Sequence, residues 1–271
     1  MITMLDFLQF GFMQRALVSA VIIGFTCSVI GVFVVLQGLS FVGAGIAHGA
    51  FAGVALAFLL GFNPVAGATV AALLMVLAIS RTKRKGKLNM DASIGIAFSG
   101  ALALAVLFIG LMPGYSADLM GYLFGNLLSV GEADLKVSLG VGFLVLAILY
   151  LFFKEFQFTA FDPEMAEAAG LPVWWLFDGL LILIALAIVI SLKAAGELLV
   201  MAFIVIPAAA AWQWSNSLPQ MLWLSGLFGV ASAVLGLISS YYWDIPSGAS
   251  IVLLLILIFM VSSAVGRSKN G

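Results

Sequence analysis

The sequence predicts an all-α polytopic membrane protein of eight to nine transmembrane helices, on three observations. Hydrophobic residues make up 64% of the 271 and charged residues only 8%, where soluble domains carry about a quarter charged residues. The mean hydropathy is +1.25. The apolar residues also cluster into runs near the ~20-residue length of a membrane-spanning helix, and the intervals between runs are too short to fold as domains. One transmembrane unit therefore occupies residues 1–271.

Nine runs qualify: 16–36, 45–61, 64–80, 92–112, 135–153, 173–192, 198–214, 219–240 and 249–266. Gly and Pro recur inside them, which spans tolerate when neighbouring helices satisfy the backbone. The first run follows Asp6 and Arg15, has full span length and lacks a small-residue cleavage site, so it reads as a retained span and not a signal peptide. It holds Cys27, the only cysteine, which excludes intramolecular disulfides and Cys-rich metal sites.

The second run, FVGAGIAHGAFAGVALAFLLG, places Gly45, Gly49 and Gly53 at the four-residue spacing that lets helices approach closely. Beside that stripe lies His48, the only histidine. Helical periodicity puts Ala44, His48 and Ala52 on one face. An ionisable group inside the membrane faces the bundle interior or a water-filled path. His48 is thus either a neutral imidazole bonded to a neighbouring helix or a contact for a metal or substrate.

Asn63-Pro64 forms a tight turn into the third run. Arg81, Lys83, Arg84, Lys85 and Lys87 then make one dense basic loop over 81–91. The positive-inside rule places that loop in the cytoplasm. Alternation then puts Lys154, Arg267 and Lys269 on the same side and leaves Arg15, Lys136 and Lys193 outside. The N-terminus is expected outside and the C-terminus inside. Asp91, at the inner mouth of the fourth run, is placed to cap it. Residues 113–134 are amphipathic, and Asp118 is placed to cap a helix of about ten residues containing Gly121 and Gly125. A helix that short cannot span, so it lies in the outer interface or dips back as a re-entrant element, and either placement suits the closing of an outer gate.

Between the fifth and sixth runs, 154–172 reads KEFQFTAFDPEMAEAAGLP. Asp162 suits an N-cap, Pro163 the first helical position and Glu164 the positive end of the dipole, while Gly170 and Pro172 stop the helix. About two turns cannot stand alone in water, so this element must dock. Asp178, just inside the sixth run, is either solvated or paired. Glu197 opens the seventh run at the outer side, and Pro207 is expected to kink or break it. Tyr241, Tyr242 and Trp243 end the eighth run as an interfacial belt. Asp244 follows in the outer turn, so Glu197 and Asp244 mark a candidate outer mouth.

Catalytic patterns are missing. No GxxxxGK[ST] run provides a nucleotide-binding P-loop, one histidine rules out HExxH, and no GxSxG elbow accompanies the serines. Transport or scaffolding is favoured over enzymology.

Six segments in order resemble the membrane-spanning permease subunits of ATP-binding-cassette importers for zinc, manganese and iron. LSFVGAGIAHGAFAGVALAFLLG is similar to that family's second-span signature and NMDASIGIAFS to its Asn-x-Asp-Ala-x-Ile-Gly segment. GNLLSV, FDPEMAEAAGLP, ELLVMAFIVIPAAAA and DIPSGASIVL complete the series. The resemblance implies a bundle of the type II importer kind in a prokaryotic plasma membrane, working by alternating access. Its implied partners are a second permease copy, two cytoplasmic ATPase subunits and an extracytoplasmic metal-binding protein, within membrane lipid and without nucleic acid. It implies that this chain holds no cofactor of its own, the divalent ion (Zn, Mn or Fe) being cargo. It also makes the helix with Asp162, Pro163, Glu164, Met165, Ala166, Ala169 and Gly170 the ATPase-coupling element.

One departure stands out. Many members read Gly-Asp-Ala-x-Ser-His in the second span, with a carboxylate one turn before the imidazole. Here those positions are Ala44 and Ala47, so the carboxylate-plus-imidazole site is incomplete and rests on His48. The alternatives are the same architecture carrying a metal chelate or haem-like cargo, and an ATPase-independent carrier.

Overall fold

The computed structural model describes residues 9–85, 89–113, 117–125 and 127–266. Asp6, Lys87, Asn126, Arg267 and Lys269 lie outside the described residues, as do the side chains of Lys85 and Asp118. The described chain is helical and without strands: α1 (Gly11–Leu36), α2 (Val42–Leu60), α3 (Pro64–Lys85), α4 (Met90–Gly110), α5 (Ala117–Phe124), α6 (Glu132–Leu151), α7 (Phe153–Phe161), α8 (Pro163–Ala168), α9 (Val173–Trp214), α10 (Leu218–Trp243) and α11 (Ser247–Val265). Among the described residues, eight of these helices are long and apolar enough to cross a membrane.

α9 accounts for the ninth predicted run. A straight helix of its 42 residues would be about 63 Å long, twice a ~30 Å hydrocarbon core. It is not straight. Gly196 has φ 77 and ψ 162, a conformation only glycine holds without strain. Two contacts show that the chain reverses there. Cys27 Sγ lies 3.5 Å from Ser191 Oγ, while the next residue on α1, Ser28, donates from Oγ to the Phe203 carbonyl at 3.3 Å. On a straight helix residues 191 and 203 would sit about 18 Å apart. The segments 173–195 and 197–214 therefore run in opposite directions, each of span length, and both pack on α1.

Pro207 does not break the helix; the only non-helical dihedrals inside α9 are at Gly196. Proline cannot donate to the carbonyl four residues back, which is that of Phe203. Ser28 Oγ supplies the missing donor, and Ser225 Oγ in turn donates to the Ser28 carbonyl at 2.7 Å. Three helices are thus joined at the proline by buried hydroxyls.

The two ends of the bundle differ. At one, the basic end, Arg84 pairs with Asp178 and Ser80 donates to the same carboxylate. Lys83 Nζ sits 3.5 Å from the Phe177 ring centroid. Asp178 is thereby paired and fixes the start of α9 to the end of α3. At the opposite, far end, Lys193 Nζ reaches Asp134 Oδ1 at 2.8 Å and Arg15 Nε donates to the Val130 carbonyl at 3.2 Å. Asn63 Oδ1 accepts from Val65 N at 2.8 Å there, with Pro64 opening α3. Tyr241, Tyr242 and Trp243 are exposed at the end of α10.

Three local expectations need correction. Asp91 lies within the first turn of α4, whose N-cap position is Asn89. Asp118 likewise falls inside α5, and Gly125, at φ 76, ends that helix instead of belonging to it. The segment before Asp162 is itself a helix, α7, because Phe156 turns inward onto Phe33 with ring centroids 6.0 Å apart.

Candidate functional site

The site is built where α2, α4 and the start of the second half of α9 meet. His48 Nδ1 contacts Glu197 Oε1 across the two helices and lies 3.2 Å from the Ala44 carbonyl one turn back. The Phe98 ring of α4 packs on the imidazole, centroids 4.2 Å apart. The side chain of His48 is 15% exposed and that of Glu197 only 2%. Nε2 of His48 has no hydrogen-bond partner among the described residues.

Glu197 was expected at the outer mouth. It is instead buried, because the reversal at Gly196 turns the first residue of the returning helix inward. Although one oxygen touches His48, neither makes a well-directed hydrogen bond to a described group. Buried carboxylates ordinarily find partners, and an isolated buried charge is costly. A cation arriving at this pair would relieve that cost, so the donor set fits a positively charged cargo. Among the described residues no group of three His, Cys, Asp or Glu side chains gathers around one point, so the pair is a sparse site.

The carboxylate absent at Ala44 has a counterpart across the bundle in Glu197, which contacts the same imidazole. Sequence reasoning singled out both residues but did not bring them together, since 149 positions separate them and only the turn at Gly196 makes them neighbours. Ala44 and Ala52 share the His48 face and are 6% exposed, so this face is closed within one protomer. The glycine stripe faces neighbouring helices: Gly45 meets Ile94 and Ile79, Gly49 meets Met75, and a Cβ on Gly53 would collide with the Gly67 carbonyl of α3.

Gly196 is held from outside. Gly125 presses its backbone on that of Ala195 and Gly196, leaving no room for a Cβ on either glycine. Leu119 and Tyr122 of α5 are buried, with Tyr122 edge-on to Phe58 of α2. α5 therefore folds back into the bundle and ends one residue from the Glu197 turn. On its other side Gly125 lines a far-end cavity of about 530 Å³ together with Ser240, Asp244 and Gly248. Asp244 is exposed there and caps α10 at φ 50.

At the basic end Asp162 Oδ1 accepts from Met165 N at 2.9 Å, with Pro163 in the first turn of α8. Gly170, at φ 86, stops the helix, and Leu171 N returns to the Ala166 carbonyl at 3.0 Å. Asp162, Glu164, Met165, Ala169 and Gly170 are exposed. Ala166 is the exception. It is fully buried against the protein's own helices, so it anchors α8 and is not part of a docking face. Glu164 and Glu167 line a cavity of about 380 Å³ shared with Lys83 and Trp174.

Comparison with known proteins agrees with this architecture. The manganese import system permease protein ScaB of Streptococcus gordonii is 40% identical over 254 residues, covering 94% of this chain and 91% of its own. The manganese transport system membrane protein MntC of Halalkalibacterium halodurans is 38% identical over 255 residues, 94% of this chain and 87% of its own. The structure of PsaBC from Streptococcus pneumoniae in complex with Fab superposes with a TM-score of 0.88 at 36% identity, covering 98% of this chain and 96% of that one. The model of the ABC 3 transport family matches residues 9–266. With that match spanning every described helix, this protein belongs to the ABC 3 transport family.

Proposed function

We propose that this chain is the permease subunit of an ATP-driven importer of a divalent transition metal, with manganese its cargo, in a bacterial plasma membrane. The observation that carries the reading is the buried Glu197 carboxylate set against the one histidine of the protein. With a proton on Nδ1, His48 donates toward Glu197 and the Ala44 carbonyl and keeps Nε2 free. That is the carboxylate–histidine–metal arrangement, in which the carboxylate fixes the tautomer and raises ligand basicity. Nitrogen plus carboxylate oxygen suits a borderline-to-hard ion such as Mn²⁺ better than a thiolate-seeking one. Manganese is also what ScaB and MntC are named for.

In this reading two copies face each other across the translocation path, each with its own His48–Glu197 pair. Two ATPase subunits dock on α8, and an extracytoplasmic protein delivers the ion at the far end near Asp244. The basic end is cytoplasmic, which places the N-terminus outside and the C-terminus inside. ATP hydrolysis belongs to the ATPase partners, since this chain has no P-loop. A sparse site is functional here, because an ion bound tightly within the membrane could not leave. Selection then rests with the delivery protein.

The test is uptake by the complex reconstituted in vesicles, scanned over Mn, Zn and Fe. The proposal expects ATP-dependent accumulation of Mn above the other two. Accumulation of none of the three, or of Zn or Fe above Mn, in a complex that hydrolyses ATP when the loaded delivery protein is added, would overturn it.

A further inference from the structure

Three charged side chains at the basic end face one gap without meeting. Glu164 and Glu167 of α8, together with Lys83 of α3, line the cavity of about 380 Å³ that lies between α8 and the start of α9. Among the described residues none of the three enters an ion pair. Lys83 rests its ammonium on the Phe177 ring, and the Asp178 carboxylate beside it is held by Arg84 and Ser80. Negative charge thus lies on one wall and positive charge on the other, across open space. Opposite charges near a protein surface attract each other over several ångströms.

The helix that carries the acids is lightly held. α8 is six residues long and contributes one buried side chain, Ala166, to the bundle. Backbone breaks bound it on both sides: Asp162 has φ -147 and ψ 86 between α7 and α8, and Gly170 has φ 86 with open space around it. A few element-terminal residues of this kind absorb hinge motions. At about 100° per residue, Glu167 lies a quarter-turn round from Ala166, whereas Glu164 lies nearly opposite. Glu167 is therefore the acid nearer the bundle.

We propose that α8 is a hinged strap that closes on Lys83 in one state of the transport cycle, with Glu167 taking the ammonium and the cavity collapsing between them. The inference rests on the reading of α8 as the ATPase-coupling element. Charge placement decides it. A cavity lined by acids alone would suit a cation from outside, and one lined by lysine alone an anion. With one sign on each wall, the groups satisfy each other once the walls meet. Lys83 stands beside Arg84, which is bound to Asp178 of α9, so the closed strap is latched to the two helices that continue into the bundle.

Cysteine pairing in the permease–ATPase complex tests this, since the one native cysteine, Cys27, is buried. Lys83→Cys with Glu167→Cys is oxidised without nucleotide, with ATP under non-hydrolysing conditions, and with ADP, and the disulfide is read by protection from a maleimide. The proposal expects several-fold more disulfide in one of these states than in the others. The same level in all three would overturn it. Charge exchange tests the pair without cysteines: Lys83→Glu and Glu167→Lys should each slow ATP-driven manganese uptake several-fold, and the two together should restore most of it. A double variant no faster than the slower single one would overturn the latch. Co-purification of the ATPase reads the coupling assignment separately. A complex that assembles yet shows neither state-dependent disulfide nor rescue removes the strap and leaves α8 as the dock.

Discussion

In the proposed metal path, Glu197 and His48 divide the work by chemistry. The imidazole presents a free nitrogen, while the carboxylate orients the ring and supplies negative charge in a place that water scarcely reaches. Losing an orienting partner of a metal-bound histidine typically costs ~10–100-fold. Glu197→Ala should therefore lower the initial rate of manganese uptake by about that factor. Glu197→Gln should cost less, since its carbonyl still accepts from Nδ1 and only the charge is gone. Initial rates in vesicles, with assembly checked by size-exclusion chromatography, separate the two variants; equal rates for both would mean that orientation plays no part. Ser28 acts elsewhere and differently. Its hydroxyl answers the Phe203 carbonyl freed by Pro207, so Ser28→Ala strands a buried acceptor at a cost of about 1–3 kcal/mol. A thermal unfolding scan should show a lowered transition for Ser28→Ala and little change for Ser28→Thr.

At the scale of elements, the reversal in α9 and the capped α8 carry different kinds of information. Gly196 requires a backbone region nearly closed to other residues, and Gly125 lies against it with no space for a methyl group. Gly196→Ala should cost about 1–3 kcal/mol from the dihedral alone, displace Glu197 from His48, and lower both the unfolding temperature and uptake. α5 ends on this turn, against the residue that precedes Glu197. α8 is only six residues long, and its geometry depends on the Asp162 cap. Asp162→Ala removes about 1 kcal/mol of capping from an element that contributes one buried side chain, Ala166, to the bundle. The unfolding temperature of the permease should stay unchanged while co-purification of the ATPase falls. Undiminished association would remove α8 from the coupling role. Behind α8, the Arg84–Asp178 pair and Lys83 over Phe177 bind the start of α9 to α3.

For the whole molecule, much was legible from composition and punctuation. Apolar run length gave the spans to within a few residues, and Asp162, Pro163 and Gly170 marked α8 because caps are local chemistry. The basic run was legible as charge, but its partner Asp178 was not, as that pairing joins α3 to α9. Glu197 was misplaced for the same reason: its position depends on a glycine dihedral and on the packing of α5, neither of which leaves a periodic trace. Pro207 misled because the signal for a break was real, yet its compensation sits on Ser28, 179 positions away in sequence. Long-range contacts convert a locally ordinary residue into a site, and in a bundle this apolar the few polar side chains reveal where those contacts fall.

The path through His48 and Glu197 is tested most directly by ATP-driven uptake of radioactive manganese into vesicles containing the permease, its ATPase and the loaded delivery protein. With His48→Ala, ATP hydrolysis and assembly should persist while manganese accumulation drops by about tenfold or more, the loss of one ligand interaction of at least ~1.4 kcal/mol. Wild-type accumulation by His48→Ala would contradict the assignment and return the imidazole to a packing role.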